Sequence, residues 1–130
     1  MPLEVRVVTP EREVWSGTAE MLIARGVDGE VGILGGHAPM MVQLVVGPLR
    51  VLSEGGSPEE IRAVVDGGFL HVTSEGGRTR ADVLATGAVL QGEIDVEATR
   101  RRLEELGSVE DSDERTAAMA RVQARIDLAS

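Results

Sequence analysis

The chain has 130 residues, a formal net charge of −9 and a hydrophobic share of 42%, and it contains no cysteine. Such a charge repels phosphate backbones and anionic membrane surfaces, which argues against nucleic acid as a partner, and the missing cysteines exclude disulfides, thiol nucleophiles and thiolate metal sites. All 13 basic residues are arginine, so the lysine of a phosphate-binding P-loop is excluded as well.

From Leu3 the pattern alternates with period two, and turn residues break it every ~8–12 positions. LEVRVV sets Leu3, Val5 and Val7 against Glu4 and Arg6; TPE interrupts it, EVW resumes, and SGT interrupts it again. MLIAR, MMVQLVV, LRVLS, EIRAVV, FLHVTS and TRADVLA follow, divided by VDGE, GPL, EGGSPEE, DGG and EGGR. This spacing predicts about nine or ten short strands in an antiparallel β-sandwich spanning residues 1–90. The opening MPLEVRVVTPERE lacks the apolar core of a signal peptide, and no run approaches the ~20 apolar residues that cross a bilayer. The expectation is a soluble chain without a processed leader.

Within the strand region, Gly29 to Met41 reads GEVGILGGHAPMM. Its glycines never fall at the GxGxxG spacing of a dinucleotide loop. The stretch reads instead as a strand, GEVGIL, and a tight corner in which Gly35 and Gly36 supply positive φ and Pro39 keeps Ala38 extended. The corner leaves Glu30 and His37 as polar tips beside adaptable methionines, a composition suited to a protein contact. The same glycines would also be needed merely to turn the chain.

Beyond Leu90 the period changes, and residues 91–130 read as an antiparallel helical hairpin. Val96, Thr99, Leu103 and Leu106 recur at helical spacing, Asp95 is the expected N-cap, and Gly107 stands where a left-handed residue ends a helix. After the polar connector SVEDSD, ERTAAMARVQARIDLA carries Ala118, Met119, Val122, Ile126 and Ala129 in one stripe, with Arg121 and Arg125 on its flank. A stripe so rich in alanine anchors a hairpin weakly.

No constellation for catalysis stands out. GGSPE around Ser57 lacks the second glycine of a nucleophile elbow, and His71 and Glu75, four apart on a strand, are separated by roughly 13 Å at ~3.3 Å per residue. His37 and His71 have no metal-ligand spacing, so neither a metal nor a catalytic residue is predicted. His71 reads as a partly exposed strand residue, and Trp15 and Phe69 read as core filler rather than a sugar-stacking face. The acids Glu104–Glu105 and Glu110–Glu114 read as solvated helix and turn faces.

TPEREVWSG from Thr9, GEVGILGGHAPMM from Gly29, GPLRV from Gly47, DGGFLHV from Asp66, VLA from Val83 and IDVE from Ile94 together resemble the epsilon-subunit family of the F-type ATP synthases of bacteria and chloroplasts. The resemblance runs the length of the chain and implies a ten-stranded β-sandwich followed by a helical hairpin. It implies a non-catalytic rotor component whose sandwich binds the gamma subunit and rests on the ring of c subunits, peripheral to the cytoplasmic face of the bacterial membrane. Glu30, Gly32, Ile33, His37, Ala38 and Pro39 are then the expected ring and gamma interface. The hairpin would fold on the sandwich or extend along gamma into the catalytic head to obstruct ATP hydrolysis, with Arg115, Arg121 and Arg125 meeting acidic residues there. Some family members bind ATP through Ile-Asp-x-x-Arg-Ala; here Ala98 stands at the arginine position and Arg100 lies about 200° further round the helix, so no ATP cofactor is expected. The reading from another class is a free-standing sandwich whose corner glycines and Trp15 line a small-molecule pocket.

Overall fold

A computed structural model describes residues 2–53 and 60–129. The elements are β1 Leu3–Val8, β2 Glu13–Ala19, β3 Met21–Gly26, β4 Gly29–Leu34, β5 Met40–Leu52, β6 Glu60–Glu75, β7 Arg78–Ala85 and β8 Ala88–Leu90. A 3-10 turn, Gln91–Glu93, leads to α1 Val96–Gly107 and α2 Asp113–Ala129. The strands run in the order β2-β1-β7-β6-β5-β3-β4, with β8 paired to β6.

The strand alternation maps directly onto burial. In β1, Leu3, Val5 and Val7 are at most 2% exposed, and they join Leu70, Val72, Val83, Leu22, Leu49 and Val51 in one apolar core. Fully burying a side chain of this size stabilises the fold by ~1.5–3 kcal/mol.

The expected nine or ten strands are eight among the described residues, because two predicted breaks do not end a strand. MMVQLVV and LRVLS form one strand, β5, across Gly47 and Pro48, and EIRAVV and FLHVTS form one strand, β6, across Asp66, Gly67 and Gly68. The first pairing of β5 with β3 slips between Ala24↔Leu49 and Gly26↔Leu44, so Pro48 lies in an irregular stretch where a missing N–H is tolerated. In β6, Gly67 and Gly68 bend the chain at φ +95° and +121°, and a Cβ on Gly68 would stand 2.2 Å from the Leu84 carbonyl oxygen. Glycine lets the strand bend where any other residue would stop it. The predicted break EGGSPEE, and Ser57 with it, falls on residues 54–59, outside the described residues.

The two long bent strands make the sandwich. The later part of β6 pairs with β7, while Ala63–Val65 pair with β8, and β5 follows β6 along nearly its whole length. One continuous sheet thereby folds over its own core. The sheet is not purely antiparallel: β1 lies parallel to β7, from Leu3↔Thr79 to Val8↔Leu84. Parallel neighbours require a long connection, and here the whole of β2 to β6 supplies it.

The helices form the predicted hairpin. The Asp95 carboxylate accepts from the Ala98 N–H at 3.0 Å and caps α1. Gly107 differs from expectation, because it is the last helical residue and is not among the glycines with positive φ. Ser108 ends the helix in a right-handed conformation, and its hydroxyl donates to the Glu105 carbonyl at 2.8 Å, so glycine's freedom is not used. Ser112 caps α2 by accepting from the Arg115 N–H at 3.1 Å. Leu106 alone is buried in α1, and no described residue of α2 is. No described helix is long and apolar enough to cross a membrane.

Candidate functional site

The corner that GEVGILGGHAPMM predicts sits at one end of the sheet. Strand β4 is an edge strand, and Glu30, Gly32 and Leu34 share its outer face, while Ile33 turns inward and is 1% exposed. Ile33 therefore anchors the strand rather than presenting a surface. Leu34, which the sequence reading passed over, is 51% exposed at the rim. A Cβ on Gly32 would stand 2.5 Å from the Met21 methyl carbon, so the glycine keeps the outer face flat beside that methionine.

The turn itself is tied down from beneath. Gly36 carries the positive φ, at +87°, and Gly35 does not, so one of the two expected left-handed residues is realised. The His37 N–H donates to the Leu34 carbonyl at 3.1 Å. The Gly36 N–H donates at 2.7 Å to the hydroxyl of Thr79, itself 1% exposed, and the Ser74 hydroxyl donates at 2.7 Å to the His37 carbonyl. Within the corner, His37 Nδ1 donates to the Ala38 carbonyl at 2.8 Å, which directs Nε2 away as an acceptor in the neutral ring. Ala38 and Pro39 are exposed and His37 is half-buried. Thr79 and Ser74 lie some forty residues away in sequence, and nothing in their local pattern announces this role.

A second feature lies on the outer face of β6 and β7. Phe69 is 46% exposed and Leu84, its cross-strand partner, 51%. With Val8 and Pro10 they line a shallow apolar groove. The expectation that Phe69 fills the core is corrected: Leu70 and Val72 take the inward positions of the alternation, which turns Phe69 outward. Trp15 packs against the core as expected, and His71 is the half-buried strand residue its pattern predicts. No group of three metal-ligating side chains occurs among the described residues.

The hairpin is seated through α2 on β5 and β6. Arg125 holds Asp66 with both terminal nitrogens, at 2.8 and 2.9 Å, and also donates to the Arg121 carbonyl at 2.9 Å. Arg115 Nε donates to the Leu106 carbonyl at 2.9 Å and pairs with Asp111 at 3.4 Å, bracing the turn between the helices. Arg121 lines the groove between α1 and α2 with Arg102 and Leu106. All three predicted arginines are thus on the hairpin, and in this arrangement Arg115 and Arg125 are engaged internally.

A further clamp joins the sandwich to the start of the hairpin. Arg12, after β1, grips Glu93 at 2.7 and 2.8 Å, and Glu93 also accepts from the Leu90 N–H at 2.9 Å. The guanidinium first, and the backbone N–H second, hold the Glu93 carboxyl below its usual range. On β6, Glu60 is held low in the same sense by Arg62 and Arg50, Arg62 contributing most. These pairs were illegible in the sequence because 81 and 59 residues separate Arg12 from Glu93 and Asp66 from Arg125.

Comparison with known proteins gives one consistent result. Residues 2–91 match the family described as the β-sandwich domain of the ATP synthase delta/epsilon chain. The chain is 45% identical over 105 residues to the ATP synthase epsilon chain of Brevibacillus brevis, covering 78% of this chain and 75% of that one. It is 42% identical over 124 residues to the epsilon chain of Mycolicibacterium vanbaalenii, covering 95% and 93%. Among solved structures, a chain of the Euglena gracilis mitochondrial ATP synthase, determined with OSCP, F1 and c-ring, superposes with a TM-score of 0.69 at 28% identity, over 98% of this chain and 76% of that one. A chain from the central stalk and c-ring of the Tetrahymena thermophila enzyme shares the fold, with a TM-score of 0.63 at 16% identity.

Proposed function

The chain belongs to the ATP synthase epsilon-chain family and is a central-stalk subunit of that synthase, and from this premise we propose that its sandwich docks between the gamma subunit and the c-ring while its hairpin regulates hydrolysis. The observation that carries the reading is a likeness that continues past the sandwich through the hairpin, at 42% identity over 95% of the chain. In this reading the protein couples rotation to ATP synthesis and catalyses nothing itself.

The corner is the ring-facing element. Glu30, Gly32, Ala38 and Pro39 supply exposed surface, Ile33 anchors the strand inside, and Thr79 and Ser74 hold His37 and its neighbours in one shape. A contact that transmits torque gains from a surface ordered before docking. The apolar groove at Phe69 and Leu84 is the gamma-facing element, since exposed apolar side chains gathered in one place suit a protein partner. Both surfaces leave the chain peripheral, on the cytoplasmic face of the membrane.

The hairpin supplies regulation by moving from the sandwich toward the catalytic head, where Arg115, Arg121 and Arg125 meet carboxylates. Regulatory ATP has no place in this reading. Ala98 offers a methyl group where the nucleotide-binding relatives have a cation, and Asp95 is occupied in capping the Ala98 N–H. Titration calorimetry is expected to detect no ATP binding at micromolar concentrations, and a micromolar affinity would overturn this part.

The test of the main reading is capture of the full chain on tagged gamma. We expect stoichiometric capture that weakens at least tenfold in Phe69→Asp, with the melting temperature unchanged because the side chain is exposed. A chain with no affinity for gamma or for the assembled synthase would favour a free-standing binding module.

A further inference from the structure

We infer that Asp66 and Arg125 form a releasable latch holding the hairpin on the sandwich, and that the Arg12–Glu93 clamp places the hinge of its release at Ile94 and Asp95. The inference deepens the regulatory reading, since it takes from it that the hairpin leaves the sandwich in service. Its test needs no other subunit.

The apolar seat of the hairpin is thin. Helix α2 rests on β5 and β6 with no buried residue of its own among those described, so directional links carry much of the attachment: the Asp66–Arg125 ion pair to the sheet, and one neutral bond at the far end of the helix, from the Gln91 side-chain amide on the 3-10 turn to the Leu128 carbonyl at 3.0 Å. Both halves are aimed before they meet. The Asp66 N–H donates to the Gly87 carbonyl at 2.8 Å, and its own carbonyl accepts from the Thr86 hydroxyl at 2.9 Å. A Cβ on Gly87 would stand 2.5 Å from Asp66 Oδ2, so glycine leaves the carboxylate the room it occupies. On the other side, the bond from Arg125 to the Arg121 carbonyl one turn back steadies the guanidinium.

The pair is enclosed as well as bidentate, with side chains 20% and 12% exposed. Removing one partner strands a charge in poor solvent, whereas lifting the whole helix away returns both charges to water and recovers their hydration. Such a link resists substitution yet permits separation, which is the behaviour of a latch. A carboxylate on another protein that takes up Arg125 must displace Asp66, so the latch sets the threshold for the hairpin's exchange.

The Arg12–Glu93 clamp behaves differently. It ties the 3-10 turn to the loop after β1, and the bond from the Leu90 N–H to Glu93 closes the same turn onto the end of β8. Ile94 and Asp95 then lie between this fixed turn and α1, outside both helical elements. They are the residues whose backbone can rotate while the clamp stays closed.

The natural absence of cysteine allows two labels to be placed without further change. Nitroxides at Thr18→Cys on β2 and Ala120→Cys on α2, both exposed, report the distance between sandwich and hairpin in the full chain by pulsed electron paramagnetic resonance. One compact distance is expected in the otherwise natural chain. Asp66→Asn and Arg125→Gln should each raise the long-distance fraction roughly tenfold or more, the scale of losing a charge-assisted pair. The double variant should open no further than either single one, and Glu93→Gln should not open the hairpin. Unchanged distances, additive effects in the double variant, or a chain already mostly open would overturn the latch. Opening by Glu93→Gln would overturn the hinge. Arg125 lies outside the sandwich, so Arg125→Gln decides the matter even if Asp66→Asn fails to fold, which Trp15 emission reports. Loss of gamma capture would sink the functional reading and leave the distances standing.

Discussion

At residue scale, the buried hydroxyl of Thr79 shows how a surface loop is controlled from inside the sheet. It accepts from the Gly36 N–H at 2.7 Å, and the corner that presents Ala38 and Pro39 hangs on that bond and on the one from Ser74 to the His37 carbonyl. Thr79→Val keeps the shape and removes the acceptor, leaving the Gly36 N–H without it. The expected cost is about 1–3 kcal/mol of stability, read as a lower melting temperature, with faster hydrogen exchange at the Gly36 amide. An unchanged exchange rate there would show that the corner keeps its shape by other means.

At the scale of elements, the junction between sandwich and hairpin is governed by Glu93. Its carboxyl lies below the usual range because Arg12 and the Leu90 N–H favour the charged form. For a depressed carboxyl the unfolded chain binds the proton first, so the stabilisation is complete above the ordinary glutamate pKa of about 4.3 and is lost as pH falls through the lower folded value. The melting temperature should therefore decline below about pH 4.3, and more shallowly in Glu93→Gln, which has no proton to take up at that position. Equal slopes in the two proteins would remove Glu93 from the acid transition. Because both partners are about 40% exposed, the effect is small and weakens with salt.

At the scale of the whole molecule, the inner core among the described residues draws on the sandwich strands alone, and the hairpin is an attachment to their outer face. Truncation after Leu90 should leave a sandwich that still unfolds cooperatively and still assembles with gamma, while ATP hydrolysis by the reconstituted synthase rises. Unchanged hydrolysis would remove the inhibitory role and leave the coupling one. The truncation also uncovers Val64, which is 0% exposed, lies outside the inner core cluster and shares the outer face of β6 with Asp66. A modest fall in melting temperature is the expected companion.

Period two in the strands, period 3.6 in the tail, the Asp95 cap and the GEVGILGGHAPMM corner were legible in the sequence, because each depends on neighbours within a few residues. Local signals also misled in places where distant contacts overrode them. GPL and DGG resemble strand ends but became bends, since β5 and β6 gain more by remaining paired with each other than by stopping, and Phe69 turned outward because its neighbours took the inward positions. The parallel pairing of β1 with β7, the hydroxyl under the corner and the carboxylate that receives Arg125 were decided only by the tertiary structure. Each joins segments far apart in the chain, and in a linear sequence nothing marks which of many carboxylates, hydroxyls or strand edges will meet after folding.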